Sequence, residues 1–447
     1  MPLSARMPLP ADPGVAVRAA ALAALWQVER GEAGSQAALQ PAVAGLPAVD
    51  RGLCTELVYG ALRRQRPLDR WIAASCARGL HGVDPAPLVA LRLGAYQLAE
   101  MPRIPAFAAV DATVEAFKRG KVHKGAVGFV HAVLRKLAGR AERGDRPDGD
   151  DLPDWIARRV DDLAYDLELP AADLRAAMCE RAPSHGQVLA AAAAVAPVAQ
   201  QLRDDGVWLA DLPVPGAFVA DGARATHHPG LGRTFLLQDA ASAAVARWVD
   251  PRPGWRVLDL CAGRGVKSAV LAALGAEVTA VDSAADKIAA ARALVEATGG
   301  RLAGAIAADG TAELGLPLAG FDAVLVDAPC TGLGTLRRRP EIRHRRRAAD
   351  LWALTVLADD LADSALRLVR PGGVVVLATC SLCREEGPQW AERVLARHPG
   401  LRRSDDGPEW ARPMCDARGD LRTHPLLHGM DAFFAARLVK PDSASIG

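Results

Sequence analysis

The sequence predicts a multidomain chain: an all-α N-terminal domain, a small α+β middle segment, and a C-terminal α/β domain with a doubly wound, Rossmann-like sheet. Three observations carry this. Residues 16–143 keep apolar side chains at helical spacing, without strand-like alternation. Residues 144–151, GDRPDGDD, are charged and turn-prone, and read as a linker. From Gln238 onward, short apolar strands alternate with helical stretches, the pattern of a parallel sheet covered on both faces. A chain of 447 residues has room for roughly two to four domains.

In order, residues 1–15 are proline-rich and expected to be a disordered tail. Helices are expected at 16–31, 50–74, 85–101, 105–120 and 124–140. Their last part gathers Lys118, Arg119, Lys121, Lys124, Arg135, Lys136, Arg140 and Arg143. Such a run is either a solvated helix face or a phosphate-binding one. The middle segment, 152–236, shows helices around 152–181 and 190–205 and less regular structure after them, with no chemistry of its own. In residues 237–440, strands are expected at 256–260, 276–282, 303–308, 321–327 and 373–379. One more, within 430–440, would run antiparallel at the sheet's end, and 441–447 is a tail. Ligands of such sheets sit at the carboxyl ends of the strands, where Asp259, Asp282, Asp309, Asp327 and Cys380 fall.

Composition narrows the class. Half the residues are apolar and the formal net charge is +2, so any nucleic-acid surface must be local. The first residues lack an apolar core of signal-peptide length, and the charge-free run 184–202 is alanine-dominated and broken by Pro197. Neither secretion nor a membrane span is expected. Eight scattered cysteines fit reduced thiols in a cytoplasm.

The first strand of the α/β domain runs into CAGRGVKS, 261–268. Gly263 and Gly265 permit a sharp turn and close approach to a ligand, and the next helix offers free N–H groups. Asp282 stands about twenty residues on, placed for ribose hydroxyls, and Asp309 for the edge of a purine. A dinucleotide would prefer glycine at Ser268, and a phosphate-binding loop would need glycine at Val266. S-adenosylmethionine, with an adenosine for the acids and a carboxylate for the turn, fits best. The cofactor residues are then Cys261, Ala262, Gly263, Arg264, Gly265, Val266, Lys267, Asp282, Asp309 and Asp327. No metal is expected.

Two strand ends deliver cysteines: FDAVLVDAPC brings Asp327 and Cys330, and GGVVVLATCS brings Cys380. Two thiols and an acid at neighbouring strand ends suggest a thiol-based site. Cys380 and Cys383 form a CxxC, but no partner motif supports a redox or zinc role. The loop after Cys330 holds Arg337, Arg338, Arg339, Arg343, Arg345, Arg346 and Arg347 against one acid, Glu341. These arginines, Arg347 apart, are the candidates for gripping an RNA backbone.

Nearly the whole chain resembles the bacterial ribosomal RNA cytosine-5 methyltransferases of the Sun/RsmB type, with an N-terminal domain like the antitermination factor NusB. The likeness runs through YGALR, LRLGAYQL, RIPAFAAV and AVLRK, then LLQDAAS and DLCAGRGVKS. It continues in DAPCTGLGTLRRRPEIRHRR, in TCS followed by Glu385 and Glu386, and in the closing DAFFA. The resemblance implies that Cys380 is the nucleophile, that Cys330 assists elimination and product release, and that Asp327 positions the base. It implies S-adenosylmethionine as methyl donor and RNA as partner: 16S rRNA or an assembling small subunit, met by a cytoplasmic monomer. Arg264 and Val266 stand where the family usually has proline and glycine, and Ala432 where it has glycine. Two rivals remain: an RNA-binding assembly protein that keeps the fold, and a methyltransferase acting on another RNA such as tRNA.

Overall fold

The computed structural model describes residues 12–120, 122–190, 194–404 and 406–442. The tail expected at 1–15 thus lies mostly outside the described residues, as do Lys121 and most of 441–447. The described residues divide into two units.

The first unit holds helices Pro13–Glu29, Ser35–Ala44, Ala48–Arg63, Gln65–Ala73, Pro85–Glu100, Ala106–Arg119 and Lys124–Glu142. Asp12 caps the first through its side chain, 3.1 Å from the Val15 amide, with Pro13 opening the turn. The helix expected over 50–74 is two helices. Pro67 has no N–H to give the Arg63 carbonyl, so one helix stops at Arg63 and the next takes the proline in its first turn. Leu22, Leu57, Leu68, Ile72, Leu91, Phe117 and Leu134 fill the core. Residues 144–151 are strapped down: Arg64 donates to the Pro147 and Gly149 carbonyls, and Asp151 accepts the Arg66 amide at 2.6 Å. Residues 336–345 also belong to this unit, although the sequence places them in the α/β domain.

The second unit carries two sheets. Strands β1 (His185–Val188), β2 (Trp208–Asp211), β3 (Ala217–Ala220) and β4 (Phe235–Leu237) form an antiparallel sheet in the order β2-β3-β1-β4. Trp208 stacks on Phe218 at 4.3 Å, with Phe235 beside them. Strands of three or four residues are too short to show alternation, so this stretch reads as less regular in sequence.

The large sheet holds β5 (Arg256–Asp259), β6 (Glu277–Asp282), β7 (Gly304–Ala307), β8 (Phe321–Asp327), β9 (Val369–Thr379), β10 (Arg402–Arg403), β11 (Leu421–Arg422) and β12 (Phe434–Val439). Its order is β10-β12-β9-β8-β5-β6-β7, with β11 also on β12. Strands β5 to β9 are parallel and β12 is antiparallel to β9, as expected. Alternate residues go to opposite faces. Val257, Ala323, Leu325, Val374 and Val376 pack under the helices around 240–248 and 266–273, while Leu258, Val324, Val326, Val375 and Leu377 pack under those around 350–368 and 388–397. The chain switches direction between β5 and β8, which opens the crevice at their carboxyl ends. Among the described residues no helix is long and apolar enough to cross a membrane.

Candidate active site

Strand β5 ends in Asp259, fully buried, whose carboxylate accepts the Ser268 hydroxyl at 2.7 Å. Burial pushes its carboxyl up to about 6. Beyond it, Gly263 and Gly265 both take left-handed backbone, φ +56° and +79°. A β-carbon on Gly265 would lie 2.6 Å from Ala291, whereas one on Gly263 would meet only open space. Gly265 is needed for packing, and Gly263 leaves an open approach to the backbone. Asp282, at the end of β6, accepts the Gly263 amide at 3.0 Å and the Ala284 amide at 3.0 Å, with Lys287 at 3.3 Å. Two left-handed glycines, a helix start and a carboxylate fixed beside them suit a ligand bearing both a carboxylate and ribose hydroxyls.

The remaining cofactor candidates sort by place. Cys261 packs into the core, Ala262 is buried and hydrogen-bonds to Val281 across the sheet, and Asp309 is exposed and bonded to Thr311. Arg264 is exposed and Val266 packs against the core, so neither fills the turn. Lys267 and Ser268 both turn onto carboxylates, which is why this motif does not make a phosphate loop. Lys267 Nζ lies 2.6 Å from Asp327 Oδ2 and 5.7 Å from the centre of the Phe433 ring. Burial works against its ammonium, but Asp327 outweighs that and holds the amine above its ordinary range.

Strands β8 and β9 are parallel neighbours, with Asp327 opposite Ala378 and the Ala328 amide on the Ala378 carbonyl at 2.9 Å. Both strands end in a cysteine, and the two sulfurs of Cys330 and Cys380 lie 3.4 Å apart as free thiols. The hydrogen bond to Cys380, reinforced by burial, holds the Cys330 thiol well above its ordinary range. Cys383 is buried, and burial pushes its thiol up to about 12. The thiol partner of Cys380 is therefore Cys330, across the sheet, and not the cysteine three residues along. Gly334 closes the site from one side: its amide donates to the Cys380 carbonyl at 2.9 Å, and its carbonyl accepts the Ala432 amide at 3.0 Å.

The arginine loop corrects an expectation. Arg343 is 1% exposed, and its guanidinium donates to the carbonyls of Arg63 and Met178 and to Asp151, at 2.9–3.2 Å. Arg337 is also buried, and Arg345 reaches the carbonyls of Val28 and Ala33. Arg343 and Arg345 hold the helical unit together, because each cation lies among backbone acceptors and not on open surface. Arg346 donates to the carbonyls of Thr331 and Cys330, at 3.1 and 3.4 Å, and so holds the cysteine loop. Arg339 is exposed and Arg338 half-buried, and these keep a surface character. Of the basic helical face, Lys118 and Arg119 pair with Glu115, and Arg140 with Asp145. The sequence reading assigned no part to the Lys267–Asp327 pair, to Arg346 as a loop anchor, or to Glu386 beneath the cysteines. For Glu386 the one available signal is a carboxylate five residues after TCS in an otherwise buried stretch.

The family model described as 16S rRNA methyltransferase RsmB/F matches residues 246–439, and that of the NusB family matches 15–139. The ribosomal RNA small subunit methyltransferase B of Thermus thermophilus is 34% identical over 95% of this chain and 98% of its own. The protein of the same name from Xylella fastidiosa is 33% identical over 88% and 90%. Among solved structures, PH0851 covers 97% of this chain and 100% of its own with TM-score 0.78 and 23% identity. That likeness is one of fold.

Proposed function

The chain belongs to the 16S rRNA methyltransferase family RsmB/F, and from that premise we propose that it methylates carbon-5 of a cytosine in small-subunit rRNA through a covalent cysteine adduct. The observation that carries this reading is the pair of sulfurs 3.4 Å apart at adjacent strand ends, beside the Asp327–Lys267 pair. S-adenosylmethionine is the methyl donor; when bound, it supplies a methyl group on a sulfonium, electrophilic toward carbon.

Carbon-5 of cytosine is a poor nucleophile. The Cys380 sulfur adds to carbon-6, and the displaced ring electrons make carbon-5 nucleophilic. Asp327, oriented by Lys267, accepts a hydrogen bond from the exocyclic amino group of the cytosine and so positions the base for attack. After methylation a base takes the carbon-5 proton, the carbon-6–sulfur bond breaks, and Cys380 departs as thiolate. Cys330, its sulfur 3.4 Å away, donates its thiol hydrogen to that departing sulfur and so assists elimination. Gly263, Gly265 and Asp282 would hold the cofactor, and Asp309 would meet its purine. Arg338 and Arg339 meet RNA phosphates. The target base leaves its stack to reach Cys380.

The test is methyl transfer from labelled cofactor to unmodified 16S rRNA and to small subunits, with tRNA beside them. Wild type should label rRNA at carbon-5 of cytosine and Cys380→Ala should not. Cys330→Ser should accumulate a covalent RNA adduct, and Cys380→Ser should form none. Absence of transfer by wild type to any of these RNAs would overturn the catalytic reading in favour of an assembly protein.

A further inference from the structure

We propose that Glu386 is the positioning residue of the two-cysteine site: its buried carboxylate ties the residue after Cys330 to the residue after Cys380 and so sets the separation of the sulfurs. This rests on the reading that the pair does the chemistry. Glu386 is 1% exposed. Its Oε1 accepts the Thr331 amide at 2.8 Å, and its Oε2 accepts the Thr331 hydroxyl at 2.6 Å and the Ser381 hydroxyl. The two hydroxyls are also 3.1 Å from each other. Thr331 and Ser381 directly follow the cysteines, so one side chain grips both strand ends at the first residue past each sulfur.

The carboxylate is itself anchored. Its residue sits in the short turn Arg384–Glu386, its carbonyl accepts the Thr379 hydroxyl at 2.9 Å, and its amide donates to the Cys383 carbonyl at 3.1 Å. Arg346, which holds the carbonyls of Cys330 and Thr331, supplies a compensating positive charge. Burial lifts the Glu386 carboxyl above its ordinary range, while the hydrogen bonds from Ser381 and Thr331 act the other way. A carboxylate in the interior is tolerated when its oxygens are satisfied in this manner. Strand pairing alone does not fix the sulfurs, since both cysteines lie beyond the last paired residues of β8 and β9. Glu385 next door does something else: it pairs with Arg159 at 2.8 Å.

Two readouts on Glu386→Gln test this. The first is geometric and needs neither RNA nor cofactor. Diamide accepts the two thiol hydrogens and leaves a Cys330–Cys380 disulfide, whose rate is followed by peptide mapping. Closure should slow roughly tenfold in Glu386→Gln, because disulfide geometry is specific, and stay at the wild-type rate in Glu385→Gln. The second is kinetic: kcat should fall by about a hundredfold, the cost of displacing a reacting group by about 1 Å, while KM for RNA stays near wild type. Thr331→Val and Ser381→Ala each remove one hydroxyl and should move both readouts in the same direction to a smaller extent; they decide the matter if Glu386→Gln does not fold. Unchanged disulfide closure, or a loss confined to KM, would overturn the proposal. If wild type transfers no methyl group, the functional reading fails, and the closure rates still decide whether Glu386 sets the sulfur separation.

Discussion

Replacing Gly334 by alanine puts a methyl group where the backbone leaves no room. A β-carbon there would lie 1.8 Å from the Ala432 carbonyl oxygen and 2.9 Å from the Cys380 carbonyl oxygen. An ordinary contact requires a retreat of roughly 1.5 Å. That movement strains or breaks the two hydrogen bonds that tie residue 334 to Cys380 and to Ala432. Two such bonds are worth about 1 kcal/mol each, and overpacking adds about 1–3 kcal/mol. A loss of about 3–5 kcal/mol should lower the Tm of the catalytic unit by roughly 6–20 °C. Because Cys380 moves with its carbonyl, kcat should fall about a hundredfold even at temperatures where the variant is folded. Differential scanning calorimetry and single-turnover methyl transfer measure the two effects. A variant with wild-type Tm and wild-type kcat would refute the reasoning.

Asp259→Asn tests the buried acid. A folded-state carboxyl at about 6 against the ordinary 3.8 binds its proton more tightly when folded, so this contribution to stability is complete below 3.8 and is lost as pH rises through 6. The wild type should lose about 3 kcal/mol over that window relative to Asp259→Asn, measured by denaturant melts; parallel curves would contradict the assignment. Arg343→Ala should destabilise the helical unit by about 3–5 kcal/mol, since it leaves Asp151 buried beside lost hydrogen bonds. A change in RNA affinity without a change in melting would restore the sequence expectation. Arg339→Ala, at an exposed side chain 3.8 Å from the buried Glu341 carboxylate, should lower the salt dependence of RNA binding by about one counterion; filter binding across a salt series gives the slope.

Much of the architecture was legible in the chain. Helical spacing in 16–143 and alternation after Gln238 are local patterns with fixed periods, and each implies its element directly. The glycine turn was legible because left-handed backbone at Gly263 and Gly265 admits few residues, and the strand-end positions of Asp259, Asp282, Asp327 and Cys380 followed from the parallel sheet. The four short strands of the small sheet were not, since three or four residues carry no period. Nor was the break at Arg64, where Pro67 ends a hydrogen-bond ladder in a stretch whose apolar spacing runs on.

What sequence could not decide was the assignment of charges to partners. Seven arginines in a row of eleven residues look alike in sequence, yet Arg343 is sealed among carbonyls, Arg346 holds the cysteine loop, and Arg339 faces solvent. Two adjacent glutamates likewise divide, with Glu385 on Arg159 and Glu386 on Thr331 and Ser381, the residues that follow the two cysteines. The sequence by itself determined which elements form and which residue types stand at the strand ends, because both depend on short-range periodicity and backbone sterics. Only the tertiary structure decided the 3.4 Å separation of the Cys330 and Cys380 sulfurs, and that Lys267 serves Asp327. Those pairings join residues 50 and 60 positions apart, and their distances are set by strand order and register.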